Sequence, residues 1–271
     1  MKAKEALLGI KGVIESYGDE KVRRSFYFEF NRRLLVLQLI QECCQEGSIV
    51  VDLGASPFII SCALKLMGYE VIAYDYDPRQ YLSIAEAFNI KVFKCDLERD
   101  SLNMPSESVD CVVLSEVIEH LNPYYVSHVL AEVNRVLKYG GTFIITTPNI
   151  ASLFRRIKLL LGKQPQYRYH VHEYTKSEVE KLLIEHGLKI LKSYYTEVND
   201  LSFINASLEE YLNLSSYWKM LKMTIKRPTR LNILRVIVYP IVKFVPSLRM
   251  LIVVVSKKEI VSGIKKVERW Q

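Results

Sequence analysis

Apolar residues along this chain fall into short unbroken runs, spaced by stretches of mixed polarity about the length of a helix. Such runs mark strands buried on both faces, as in a parallel sheet, because alternation arises only where one face meets water. The pattern predicts strands at 48–52, 70–75, 90–94, 109–114 and 141–147, with helices at 57–67, 79–87 and 123–138 between them. Residues 1–19 are mixed and suit a short helix or arm. A single helix over 20–45 follows, carrying Phe26, Phe30, Leu34, Leu35, Leu37 and Ile40 near helical spacing. After the fifth strand, another helix starts within 149–161, and 163–169 form a loop. Thr175-Lys-Ser-Glu178 makes a capping box whose helix runs to Glu185 and is closed by Gly187. The last strands fall at 188–196 and 248–255, and the β-α alternation predicts a doubly wound α/β sheet.

Two of the apolar runs end in an acid. Ser48-Ile-Val-Val-Asp-Leu-Gly-Ala-Ser-Pro-Phe58 is answered by Val71-Ile-Ala-Tyr-Asp-Tyr-Asp-Pro78, with a helix-length segment closed by Gly68 between them. This β-α-β unit places Gly54 at its first turn and Asp75 at the tip of its second strand, where a nucleoside ribose sits in such sheets. Asp75 follows Asp52 by 23 residues, close to the ~20 expected for a ribose-binding acid. The turn excludes two common ligands. A dinucleotide site needs three glycines, and a P-loop needs a Lys after its glycines. Here the turn is Gly54-Ala-Ser-Pro57, with no Lys and with a Pro that lacks an N–H donor. A ligand with a ribose and no phosphates fits better.

S-adenosylmethionine is such a ligand, and these residues resemble the class I S-adenosylmethionine-dependent methyltransferases. Three further motifs carry the resemblance in the right order: Cys95-Asp-Leu97 after the third strand, Asp110-Cys-Val-Val-Leu-Ser-Glu-Val-Ile-Glu-His-Leu121, and Tyr139-Gly-Gly-Thr-Phe-Ile-Ile-Thr-Thr-Pro-Asn149. The last is similar to the subgroup that includes ubiquinone-pathway O-methyltransferases. The match covers roughly residues 25–196, and it departs from the family at Ala55-Ser-Pro57, where more glycine is usual. The resemblance implies a Rossmann-like doubly wound, seven-stranded, mostly parallel sheet. It implies that Asp52, Gly54 and Ala55 meet the methionine end of the cofactor, Asp75 the ribose, and Asp96 and Leu97 the adenine, with Ser56 and Tyr76 also binding the cofactor. Ser115 and Glu116 would floor the pocket.

Related enzymes also place a leading helix over the cofactor, which makes 1–46 a helical lid from which Tyr27 or Arg33 could reach it. The domain itself is expected over 47–258. In this fold the last two strands are normally joined by a short turn, yet 197–247 intervene here, a helical insertion before the last strand long enough to be a cap. Residues 259–271 form a basic tail.

Glu116, Glu119 and His120 stand at i, i+3 and i+4, and share one face if a helix begins near Ser115. Tyr169-His-Val-His-Glu-Tyr-Thr175 adds His170 and His172 from far along the chain. Carboxylates with imidazoles make a mixed oxygen and nitrogen set suited to Mg²⁺, Mn²⁺ or Zn²⁺. A similar Glu-x-x-Glu-His segment with a distant His occurs in small-RNA 3′-terminal 2′-O-methyltransferases and in the ubiquinone-pathway enzymes. The resemblance implies a divalent metal held by Glu116, Glu119, His120 and His170, with Glu119, His120 and His170 catalytic; His172 does not match cleanly. The same segment also occurs in relatives for which no metal is implied, and there His120 is a base or a packing residue.

Composition narrows the setting. An apolar share of 49% over 271 residues supports one large α/β domain with additions and excludes disorder. The five cysteines form no C-x-x-C pair, and an odd count without a signal peptide suits a reduced, cytoplasmic protein. Charge is uneven: residues 201–271 hold 13 Lys and Arg against 4 Asp and Glu, a net of +9, so residues 1–200 carry −2. The stretch 231–246 is apolar but interrupted by Arg235, Pro240 and Lys243, and too short to span a bilayer. With Lys219, Lys222, Lys226, Arg227 and Arg230 before it, 219–246 suits either peripheral contact with a membrane or packing on the sheet or a second subunit. The expected reaction is methyl transfer to a hydroxyl of a small molecule, glycan or lipid precursor. The alternatives are a metal-dependent RNA 2′-O-methyltransferase and a non-catalytic S-adenosylmethionine-binding protein.

Overall fold

Two strands far apart in sequence flank β1 (Ile49–Leu53), and both run parallel to it: β2 (Glu70–Asp75) on one side and β4 (Val109–Ser115) on the other. In the computed structural model, which describes residues 1–198, 217–226 and 228–259, they belong to a seven-stranded sheet. Its order is β3-β2-β1-β4-β5-β7-β6, with β3 (Lys91–Lys94), β5 (Leu137–Pro148), β6 (Leu188–Thr196) and β7 (Leu251–Lys258). Strand β7 runs antiparallel to both β5 and β6, so β6 points the same way as the parallel strands. The direction of winding reverses at β1, which opens a crevice outside the carboxyl ends of β1 and β4.

Side chains alternate between the two faces of each strand. Val50, Ala73, Cys111, Val113 and Val253 face one core, and Val51, Leu53, Val112, Leu114 and Val254 face the other. The first core is covered by α1 (Ala3–Gly9), α2 (Lys11–Ser16), α3 (Glu20–Phe28), α4 (Phe30–Cys43), α5 (Ile59–Leu66) and α6 (Leu82–Glu86). The second is covered by α7 (Pro123–Val136) and α9 (Lys176–Glu185); α8 (Leu153–Leu160) contributes no buried residue to either. The predicted capping box closes as expected, with the Thr175 hydroxyl and the Glu178 carboxylate satisfying each other's amides. Of the inserted stretch, α10 (Tyr217–Lys226) and α11 (Arg230–Phe244) are described and pack on each other through Met220, Val236 and Tyr239. Residues 199–216, and all but the first residue of the basic tail, lie outside the described residues. No helix among the described residues is long and apolar enough to cross a membrane.

Two expectations from periodicity need correction. The helix expected over 20–45 is broken at Glu29, whose φ of −101° and ψ of 7° leave the helical region. The Arg33 guanidinium reaches back across the break to the Ser25 carbonyl at 2.9 Å, which also accepts the Glu29 amide at 3.0 Å, and to the Glu29 carboxylate at 2.6 Å, so it braces the two helices against each other. The second concerns Glu116, Glu119 and His120, which do not share a helix. Glu116 is left-handed at φ 58°, Ile118–His120 form a single 3₁₀ turn, and α7 starts only at Pro123. Asn122 and Pro123 set that start: the Asn122 side chain caps the Tyr124 amide at 3.0 Å, and proline suits a first helical position.

Candidate cofactor and acceptor site

The turn after β1 is folded against the end of β2. Gly54 and Ala55 donate their amides to the Tyr74 carbonyl at 2.8 and 3.1 Å. Position 54 needs glycine, since its φ is +66° and a Cβ there would lie 2.5 Å from a methyl of Val117. Asp75, at the tip of β2, accepts the Ser56 amide at 2.9 Å on one carboxylate oxygen and the Asp77 amide at 3.0 Å on the other. Each oxygen keeps a lone pair for one ribose hydroxyl. A cavity of about 460 Å³ lies here, lined by Gly54, Asp75, Tyr76, Asp96, Leu97 and Val117 among others. Asp96 is oriented by the Glu98 amide at 3.1 Å, and Tyr76 stands exposed at the rim.

A second cavity of about 310 Å³ shares Gly54 and His120 with the first. Ala55, Ser56, Ser115 and the charged groups Arg32, Arg33, Asp52, Glu116, Glu119 and His170 line it. Asp52 accepts the Ser61 hydroxyl at 2.6 Å. Burial pushes its carboxyl up to about 7 against the pull of Ser61, and the charge of Asp75 adds to the rise. Of the two leading-helix residues expected over the cofactor, Arg33 lines this cavity, whereas Tyr27 is not among its lining and donates to Glu15 at 2.5 Å.

The end of β5 holds the acids that follow β4. Thr146 donates to Glu116 at 3.2 Å and is linked to the Ser115 hydroxyl at 2.9 Å, while Thr147 donates to Glu119 at 3.0 Å. Burial raises both carboxyls, Glu119 the further because the Glu116 charge adds to it. Glu116 is paired with Arg32 at 3.0 Å, so its oxygens are already engaged.

The loop carrying His170 is pinned to the same turn, with the amides of Val171 and His172 donating to the Glu119 carbonyl at 2.8 and 3.2 Å. His120 Nδ1 lies 3.1 Å from the Tyr169 carbonyl, which can only accept, so Nδ1 carries the proton and Nε2 keeps its lone pair. His170 is set the same way by the Glu173 carboxylate at 2.7 Å, itself buried and held by Arg155 at 2.6 Å. Donor atoms of Glu119, His120 and His170 all lie within 4.8 Å of one another. Two imidazoles beside a carboxylate, each imidazole oriented by an acceptor behind it, fit a divalent cation. Glu116 is not in that group, and the His172 ring packs against Tyr174 instead.

Sequence reasoning missed Glu29, Arg32, Thr146, Thr147 and Glu173. The one available signal was the spacing of Glu29, Arg32 and Arg33 on one helical face, which announces an ion-pair cluster without saying where it points. Around both cavities carboxyl groups outnumber guanidinium groups, which disfavours a pyrophosphate and suits a ligand bearing sulfonium and ammonium charges.

Comparison with known proteins agrees with this geometry. Residues 51–145 match the family model described as a methyltransferase domain. A probable S-adenosylmethionine-dependent methyltransferase of Mycobacterium tuberculosis, MT3114, is 29% identical over 163 residues, 58% of this chain and 54% of the relative. The chain thus spans about half the length of the curated relatives it matches. A tRNA N(3)-cytidine methyltransferase of Mus musculus, METTL6, is 40% identical over 110 residues, 36% of this chain and 39% of that one. Among solved structures, a SAM-dependent methyltransferase from Archaeoglobus fulgidus superposes with a TM-score of 0.59 at 20% identity, covering 89% of this chain and all of that one. The [4+2]-cyclase SpnF shares the fold at a TM-score of 0.57 and 12% identity, covering 85% of this chain and 81% of that one. The motif order, the matched stretch and the sheet agree: residues 51–145 match a methyltransferase domain, and the seven-stranded sheet that holds them has the fold of S-adenosylmethionine-dependent methyltransferases of solved structure.

Proposed function

We propose that the protein methylates a hydroxyl oxygen of a small-molecule, glycan or lipid-precursor acceptor, as the ubiquinone-pathway subgroup does. The observation that carries this reading is the cluster of Glu119, His120 and His170 at the junction of the two cavities. When bound, S-adenosylmethionine supplies an electrophilic methyl on its sulfonium. Asp75 grips the ribose, Asp96 and Leu97 border the adenine, and Asp52 faces the charged methionine end. A hydroxyl is a weak nucleophile until its proton is removed. His120, held neutral because burial lowers its pKa, offers Nε2 to take that proton as the oxygen attacks. With His120 Nε2 serving as ligand instead of base, Glu119, His120 and His170 would hold a divalent ion, Mg²⁺, Mn²⁺ or Zn²⁺, which would lower the pKa of the acceptor hydroxyl so that its proton passes to water. Positioning supplies much of the remaining rate, since displacement at the methyl is in-line.

A second reading rests on one observation, the 40% identity to METTL6 over 110 residues, which favours an RNA acceptor. One experiment separates the readings. The protein is incubated with methyl-labelled S-adenosylmethionine and, separately, with lipid, glycan, small-molecule and RNA fractions, with and without chelator. Label in a hydroxylated non-nucleic acceptor, lost on chelation, supports the proposal. Label in RNA replaces it with the second reading. Tight S-adenosylhomocysteine binding with no labelled product in any fraction leaves a non-catalytic cofactor-binding protein.

A further inference from the structure

Two stretches of the chain, 150–172 and 211–258, are rich in Lys and Arg and contain no acidic residue. The sheet brings them to one edge. Strand β5 ends at Pro148, and 150–172 follow it directly. Thr196 at the end of β6 and Pro148 both register with Leu251 at the start of β7. The chain from 197 to 250 therefore leaves and re-enters the sheet at the carboxyl edge, where the crevice opens. The Asn149 side chain ties the two stretches together, donating to the carbonyls of Ser247 at 2.9 Å and Arg249 at 2.7 Å.

Both stretches turn large apolar side chains outward. After α8 buries nothing, Leu159, Leu160 and Leu161 stand 65%, 85% and 65% exposed. Helix α11 turns Val236, Tyr239 and Val242 inward. Its exposed Ile233, Ile237, Ile241 and Phe244 follow at intervals of four, four and three, which makes a single stripe. Helix α10 exposes Trp218 and Ile225, one face apart by two turns, with Lys222 between them. A groove of about 400 Å³ opens among Tyr217, Trp218, Tyr239, Lys243 and Phe244, with Glu197 at its side accepting the Tyr239 hydroxyl at 3.0 Å.

Scattered exposed apolar residues are ordinary, but stripes edged by basic residues and aromatics, on helices that carry no acid themselves, are the pattern of helices that lie in a membrane interface. Self-association would bring two positive faces together, whereas anionic headgroups complement the charge and the acyl boundary accepts the apolar stripe. We propose that this edge docks on an anionic lipid bilayer, with α8, α10 and α11 in the headgroup region and the crevice opening toward the membrane. Docking itself does not depend on the methyl-transfer reading; where both hold, the acceptor is lipid-borne.

The full chain is sedimented with phosphatidylcholine vesicles, with and without about a third of phosphatidylglycerol. The expected result is capture by the anionic vesicles, release by salt, and little capture by phosphatidylcholine alone. The pair Ile237→Glu and Phe244→Glu should weaken capture at least tenfold while leaving S-adenosylhomocysteine binding intact. In a Trp270→Phe background, Trp218 fluorescence should shift to the blue on adding anionic vesicles, a readout that needs no core variant. Three outcomes overturn the proposal: no capture at low salt, capture that the paired variant leaves unchanged, or a dimer in light scattering that the same variant splits.

Discussion

Arg32 of α4 reaches Glu116 in the turn after β4, guanidinium to carboxylate at 3.0 Å, and so fastens the leading helices to the floor of the crevice. The same guanidinium holds Glu29 at 2.7 Å. Breaking a buried pair by removing one partner costs about 3–5 kcal/mol, because the other charge is left without its match. Both side chains keep a little exposure, 13% and 14%, which points to the lower end. Arg32→Gln should therefore lose about 3 kcal/mol of stability in urea titration, and adding Glu116→Gln should recover part of it. Strict additivity of the two changes would show that the pair carries no coupling.

Asp75 makes a prediction about affinity. Hydrogen bonds to a charged group contribute about 1.5–3 kcal/mol, so Asp75→Ala should weaken S-adenosylhomocysteine binding about 10- to 100-fold. Asp75→Asn keeps one acceptor oxygen and should fall between the two. Calorimetry with an unchanged dissociation constant for the Ala variant would remove the ribose role.

Glu173 acts through His170, whose Nδ1 proton it accepts, so it is a positioning residue. Loss of such a partner typically costs 10- to 100-fold in metal affinity. Glu173→Gln should show that loss in a chelator competition with Zn²⁺ while cofactor binding holds. The His170→Ala protein should lose the site altogether, with metal content falling to background by mass spectrometry.

Asp52 gives a pH prediction. Its carboxyl is raised to about 7 in the folded protein, against roughly 3.9 in an unfolded chain. The folded state therefore holds a proton that the unfolded state releases first. This group's contribution to stability is full below about pH 4 and declines as pH rises toward 7. Asp52→Asn should flatten that decline and stabilise the cofactor-free protein near neutrality. A ligand ammonium beside Asp52 would draw the carboxyl back down, so cofactor binding near pH 6.5 should release protons. Calorimetry in buffers of different ionisation enthalpy measures that release, and an uptake of protons would contradict it.

Much of the sheet was legible because buried parallel strands leave unbroken apolar runs, and Asp52, Asp75 and Asp96 are fixed to strand ends by chain order alone. The break at Glu29 was hidden, since apolar spacing continues across it and only the reach of Arg33 to Ser25 reveals the change. Glu116 was placed on a helix for the same reason: i, i+3, i+4 spacing cannot distinguish a helix from a left-handed residue followed by one 3₁₀ turn. Arg32 and Thr147 belong to the site through contacts across long sequence separations, which no local pattern encodes, while Glu173, three residues from His170, is shown as its partner only by the fold of the loop.

The antiparallel placement of β7 sets the segment after β6 apart from the nucleoside end of the sheet. Among the described residues, the stretch between Thr196 and Leu251 is tied to one rim of the sheet, through its two ends and the bonds of Asn149 to Ser247 and Arg249, and forms no strand of the sheet. Such a hanging segment can be lengthened, shortened or swapped with little disturbance to the nucleoside end, which is secured at the opposite half of the sheet. A chimera carrying another protein's version of that segment should inherit a new partner for the methyl group and keep its original grip on the donor.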